Sequence, residues 1–174
     1  MMKFLIMEGL SILERTPMIV SLLVKNLPDS WIFQNEGGET WNVFDVIGHY
    51  IHGEKTDWIP RMQIILGEGD KHFVPFDRFA QFKDSKGKTL DELLEEFARL
   101  RKENVIKLRN AQLDEAALSK KATHPELGEV SLSELLASWV VHDLTHICQI
   151  ARVMAKQYEA TVGPWKAYMG ILNR

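Results

Sequence analysis

His142-Asp143-Leu144-Thr145-His146 sets two imidazoles four residues apart inside a run, Ser131 to Tyr158, that holds neither proline nor glycine. On a helix, residues i and i+4 share a face and stand about 6 Å apart along the axis. Two imidazoles so placed can chelate one metal ion, and this is the spacing of helical zinc sites. The alternative is a pair of buried neutral histidines bonded to neighbours. That arrangement needs two sets of polar partners, whereas one ion satisfies both rings. The pair shares a wheel arc with Leu135, Trp139 and Val153, so it faces inward. Asp143 stands where a HExxH protease carries its glutamate and is one methylene shorter, which argues against a zincin. Asp143 itself reads as a polar residue packed between helices. Cys148 lies about 200° round the wheel from His146 and reads as packing, not as a ligand.

A third ligand has to come from another helix, and the stretch around residue 50 offers two. His49 sits at the edge of an apolar arc formed by Val43, Val46, Ile47, Tyr50, Ile51 and Trp58. His52 lies about 60° further round, toward the polar side, so His49 is the better candidate. One turn on, Gly53 would leave space beside His49. One turn back, Asp45 could accept from its imidazole N–H or stand as a solvated carboxylate. His72 and His124 fall in predicted connections and read as exposed.

Four amphipathic segments must carry these residues. The first runs from Lys3 to Lys25, interrupted by Thr16-Pro17. Proline there predicts either a kink or two abutting helices, with threonine as N-cap. The second runs from Trp41, capped by Thr40, to about Leu66, with a kink or early end near Ile59 ahead of Pro60. The third opens on the capping box Thr89-Leu90-Asp91-Glu92, and its charged residues are read as the solvated face. The fourth opens on a second box, Ser131-Leu132-Ser133-Glu134. Between them lie an aromatic connection from Lys71 to Lys88, where Phe73, Phe76, Phe79 and Phe82 suggest a short helical cover, and a polar connection from Leu113 to Glu129. Trp165 to Leu172 reads as a short terminal helix or docking tail. No period-two strand is evident. The expectation is all-α, a four-helix bundle with one long crossover in the later links, residues 1–174 forming one domain.

Bulk properties remove several functions. With 174 residues and a net charge of −3 there is room for a real core but no basic field to displace counterions from nucleic acid. The single cysteine excludes a disulfide framework or a cysteine zinc knuckle and fits a cytoplasmic protein. No apolar run approaches a membrane span, and Lys3 and Glu8 interrupt the apolar start, so no signal peptide is expected.

The residues around the histidines resemble a known family. Trp41-x7-His49 with Glu54 and Asp57-Trp58-x-x-Arg61 is similar to the second helix of the DinB-like (YfiT-type) superfamily. His142-Asp143-x-x-His146-Ile147-x-Gln149-Ile150 is similar to its last bundle helix, and Thr16-Pro17 and Pro75-Phe76-Asp77-Arg78-Phe79 add to the likeness. The resemblance implies a four-helix bundle, often a homodimer, that holds a divalent metal through three histidines, here His49, His142 and His146. Zinc or nickel suits imidazole donors. It also implies activities on small-molecule substrates, foremost a transferase using a low-molecular-weight thiol. A metal-dependent hydrolase is the second expectation, and a non-catalytic metal-binding or interaction module the third. Three neutral histidines leave open coordination positions, which suits the first two.

Overall fold

Pro17 lacks an N–H and cannot donate to the carbonyl of Leu13. The first segment therefore divides into two abutting helices, α1 (Ile6–Leu13) and α2 (Thr16–Val24). The computed structural model describes residues 4–173, so the expected start at Lys3 lies outside the described residues. Thr16 is not the N-cap. Its hydroxyl donates back to the carbonyl of Ile12 at 3.2 Å.

A short helix α3 (Asp29–Phe33) leads to the second segment, which again divides in two: α4 (Val43–Thr56) and α5 (Trp58–Leu66). The break falls at Asp57, two residues before the expected Ile59. Pro60 removes the donor for the Thr56 carbonyl, so the ladder opens one turn upstream of the ring. The cap is Asn42, not Thr40. Asn42 Oδ1 accepts from the Asp45 amide at 2.9 Å, and Asp45 Oδ2 accepts from the Asn42 amide at 3.1 Å. Thr40 is held in the preceding turn, its hydroxyl donating to the Gly37 carbonyl at 2.8 Å.

The aromatic connection contains α6 (Ala80–Asp84), only part of the expected helical cover. Phe73 is buried and Phe76 half-buried, while Phe79 and Phe82 are exposed. Next come α7 (Leu90–Asn110) and α9 (Leu132–Lys156), both opening on the expected reciprocal boxes of Thr89 with Glu92 and Ser131 with Glu134. The polar connection between them is structured. It forms α8 (Glu115–Ser119) and an antiparallel hairpin of β1 (Lys121–His124) and β2 (Gly128–Ser131). Thr123 bridges the hairpin to the preceding connection: its amide donates to Lys71 at 2.7 Å and its carbonyl accepts from Phe73 at 2.9 Å. The tail forms 3-10 turns at Gly163–Tyr168 and Gly170–Leu172.

The four long segments make a four-helix bundle. The α1–α2 segment packs on α7 and α9, and so does α4–α5, which sets the first and second segments on one diagonal and the third and fourth on the other. Two links therefore cross the bundle: the one after α2, and the one carrying the hairpin.

Two apolar clusters fill the interior. One gathers Leu10, Leu13, Trp58, Ile65, Leu132 and Trp139; the other gathers Val20, Val46, Tyr50, Phe97, Ile150 and Val153. Each large side chain buried this way contributes roughly 1.5–3 kcal/mol. A charged group is buried in the same interior. Arg101, 1% exposed, donates to Asp143 at 2.5 and 2.9 Å, to Glu54 at 2.9 Å and to the Leu13 carbonyl at 2.8 Å. The carbonyl left without a helical donor by Pro17 is thus satisfied from α7. Asn104 adds bonds to the carbonyl and side chain of Glu54 at 2.8 and 2.9 Å. Buried charges persist only when paired in this way. Among the described residues, no helix is long and apolar enough to cross a membrane.

Candidate metal centre

His49 is carried by the second turn of α4, whose start is fixed by the Asn42–Asp45 box and whose apolar arc buries Val46, Ile47 and Tyr50. His142 and His146 lie on consecutive turns of α9. Tyr50 fastens the two helices beside them, its hydroxyl donating to the Asp143 carbonyl at 2.7 Å. Burial raises the Tyr50 pKa, so this donor keeps its proton.

The three rings converge. His49 Nε2 and His142 Nε2 stand 3.0 Å apart, and one nitrogen from each of His49, His142 and His146 falls within 4.8 Å of the others, close enough to hold a metal ion. Two lone pairs at 3.0 Å repel, so the contact requires either a proton on one nitrogen or a cation shared by both. His146 Nδ1 lies 2.7 Å from Gln149 Oε1. That oxygen can only accept, so the proton sits on Nδ1 and Nε2 keeps its lone pair.

Burial sets the protonation state. It lowers the His49 pKa to about 3 and the His142 pKa to about 2, with His146 adding to both effects. Burial lowers His146 as well, against the opposing pull of Gln149 and Asp143. Neutral imidazole is the metal-binding form. Trp41, Phe76, Tyr50 and Trp58 pack around the cluster with ring centroids 4.9–5.9 Å from one or other histidine. This apolar shell limits water and strengthens any charge interaction inside it. Donor type, tautomer and convergence all fit a divalent first-row ion.

Other expected residues fall elsewhere. Asp45 does not reach His49, because its carboxylate closes the helix cap; the Nδ1 atoms of His49 and His142 are buried without a partner. Asp143 is more than packing, being the buried counter-ion of Arg101. His52 stands outside the cluster, as its wheel position indicates, yet it is buried, with Phe76 at 5.0 Å and Asp84 Oδ2 at 3.7 Å from Nδ1. Cys148 is exposed, so it neither packs nor joins the cluster. His72 is exposed and pairs with Asp70 at 2.6 Å. His124 is half-exposed and lines the cavity beside the site.

A cavity of 240 Å³ opens onto His49 and His142, lined also by Gly53, Asp57, Arg61, Phe76, Arg78 and His124. A Cβ at Gly53 would stand 3.3 Å from Trp58 Nε1, so the glycine one turn above His49 makes way for the indole rather than leaving open space. Larger grooves of 720 and 980 Å³ run along α2 and α7 and beside α8. Among the described residues neither contains a group of metal-capable donors. The sequence reading missed Arg101, although it falls on the arc of Leu94, Phe97, Val105 and Leu108, which was the available signal.

A model of the DinB superfamily matches residues 12–150. Among solved structures, one similar to this chain is YfiT from Bacillus subtilis, described as "a probable metal-dependent hydrolase with an unusual four-helix bundle topology". The two are 22% identical, 90% of each chain is covered, and the TM-score is 0.76. No curated protein matches the chain.

Proposed function

The chain belongs to the DinB superfamily, and on that premise we propose that it is a metal-dependent hydrolase of a small molecule, with His49, His142 and His146 as the metal ligands. The observation that carries the reading is the convergence of three neutral imidazole nitrogens beside a cavity. Among the described residues no fourth histidine, cysteine or carboxylate joins the group. A bound ion would keep an open position, as catalytic sites do and structural sites do not. Such an ion supplies Lewis acidity, acidifying water or polarising an acceptor oxygen. The protein's own part is to present three deprotonated nitrogens, fix His146 through Gln149, and exclude bulk water with the aromatic shell. Zinc or nickel is the expected ion.

Cavity size favours a hydrolase over the thiol-dependent transferase foremost in the family resemblance. At 240 Å³ it falls below the roughly 300–1,000 Å³ of pockets that enclose a drug-sized ligand. A pocket of that size suits water with one small substrate better than a thiol cofactor with a second substrate. The description of YfiT as a probable metal-dependent hydrolase supports the same choice. The resemblance further suggests a cytoplasmic homodimer.

Elemental analysis after reconstitution tests the ligand set. We expect one divalent ion per chain, lost in His49→Ala, His142→Ala and His146→Ala and kept in His52→Ala. Hydrolysis of a panel of small esters and amides should disappear on chelation. Absence of divalent-ion binding refutes the reading, and turnover that depends on added thiol replaces hydrolase with transferase.

A further inference from the structure

We propose that the cavity facing His49 and His142 is a carboxylate-binding subsite, in which Arg61, Arg78 and the Nε2–H of His124 grip an anionic group of the substrate. The proposal rests on the hydrolase reading and names the substrate class for the same site.

Arg61 is buried in α5 yet only partly committed. Its Nε lies 2.7 Å from Asp57 Oδ1, and its guanidinium stacks 4.9 Å above the Phe73 ring. These contacts fix the plane of the group. Among the described residues, no other hydrogen bond or ion pair engages it, so its Nη donors remain for the cavity it lines. A guanidinium fork matches the two oxygens of a carboxylate.

His124 presents a donor of fixed tautomer. Its Nδ1 accepts the amides of Glu126 and Leu127 at 3.1 and 3.2 Å. The ring proton therefore sits on Nε2. The ring stands at 89° to Phe73, with centroids 6.2 Å apart. Phe73 thus separates and orients both donors, and the Thr123 bridge holds it against the hairpin. Burial, with Arg61 adding its charge, lowers the His124 pKa and keeps Nδ1 an acceptor.

Arg78 stands at the cavity mouth, exposed, with no hydrogen bond or ion pair to a described residue. The neighbouring Asp77 carboxylate is occupied by the amides of Phe79 and Ala80 at 2.9 and 3.2 Å. Two carboxylates share the lining with the two arginines, Asp57 against Arg61 and Glu126 beside His124. The protein's own lining is therefore near neutral: it offers directed N–H donors without a large positive excess. That suits a planar monoanion, whereas a phosphate dianion would meet Asp57 and Glu126 with greater repulsion. At roughly 30 Å³ per water, the 240 Å³ cavity holds about eight waters, the scale of a small carboxylic acid.

The test is a titration of metal-free and zinc-loaded protein with sodium propionate and, separately, inorganic phosphate, read by the imidazole 1H–15N resonance of His124. We expect a saturable shift with propionate in both forms and weaker binding of phosphate. Arg78→Gln and Arg61→Lys should each weaken propionate about tenfold or more, the cost of a lost hydrogen bond to a charged group. Arg78 is exposed, so its variant carries little folding risk; retention of one zinc per chain checks that Arg61→Lys is folded. A non-saturable shift, propionate binding unchanged in both variants, or phosphate binding tighter than propionate overturns the proposal. Failure of wild-type protein to bind zinc strikes the hydrolase reading instead, and leaves the propionate titration of metal-free protein to be judged on its own.

Discussion

Arg101 of α7 and Asp143 of α9 are joined inside the bundle by two N–H···O bonds of 2.5 and 2.9 Å, one residue along the chain from His142. Neither is reached by solvent beyond 1% of its surface. The pair crosses the bundle diagonal and ties the histidine turn of α9 to the break between α1 and α2 through the Leu13 carbonyl. Burial of Glu54 raises its pKa, with Arg101 opposing. The guanidinium therefore opposes the neutralisation of Glu54 that burial favours.

Arg101→Met should consequently be costly. It removes the partner of Asp143 and Glu54 together and leaves the Leu13 carbonyl without a donor. The expected loss is about 3–5 kcal/mol in urea unfolding of metal-free protein. A loss under about 1 kcal/mol, the scale of a surface pair, would show that the interior tolerates these carboxylates unpaired.

Gln149→Leu tests how His146 is held. The 2.7 Å bond to Gln149 fixes which ring nitrogen carries the proton, whereas His49 and His142 have no such partner on Nδ1. Loss of a bond of this kind reduces metal affinity by roughly 10- to 100-fold. Gln149 is half-exposed, so stability should hardly change. Zinc affinity measured by competition with a chelator reads the effect. Unchanged affinity would mean that packing alone orients His146.

Much of this was legible in the sequence, for reasons that differ by residue. The starts at Thr89 and Ser131 could be read because a capping box is a local, four-residue device. His142 and His146 could be read because helical periodicity fixes their relative direction. His49 was separated from His52 by the same wheel. The wheel gives direction only, so it did not show that Phe76 folds over the polar side of α4 and buries His52. The hairpin was missed because β1 and β2 have four residues each, too few for a two-residue period to stand out from a polar connection. That omission made His124 look like a solvent residue. The Asn42 cap lost to Thr40 because both are good cap types, and the reciprocal partner Asp45 reads from sequence as an acceptor for His49 or as a solvated carboxylate.

The buried histidines also predict how the metal-free fold responds to acid. In the unfolded chain each imidazole titrates near 6.5. In the folded chain burial lowers the value to about 3 for His49 and about 2 for His142. Between these limits the unfolded state binds more protons than the folded state, so stability rises with pH. The contribution is therefore complete above about pH 6.5 and is lost progressively as pH falls below it. At pH 5 each of the two residues should cost about 2 kcal/mol, from 1.36 kcal/mol per pH unit below the unfolded value. Urea unfolding of chelator-treated protein at pH 7.5 and 5 measures the summed effect, to which His146 adds, and His142→Gln should remove about 2 kcal/mol of it because glutamine does not titrate. An equal acid sensitivity in His142→Gln would assign the loss to other groups. Added zinc should raise stability by a similar amount at pH 7.5 and pH 5, because His49 and His142 are already neutral in the folded site at both and need lose no proton to bind it.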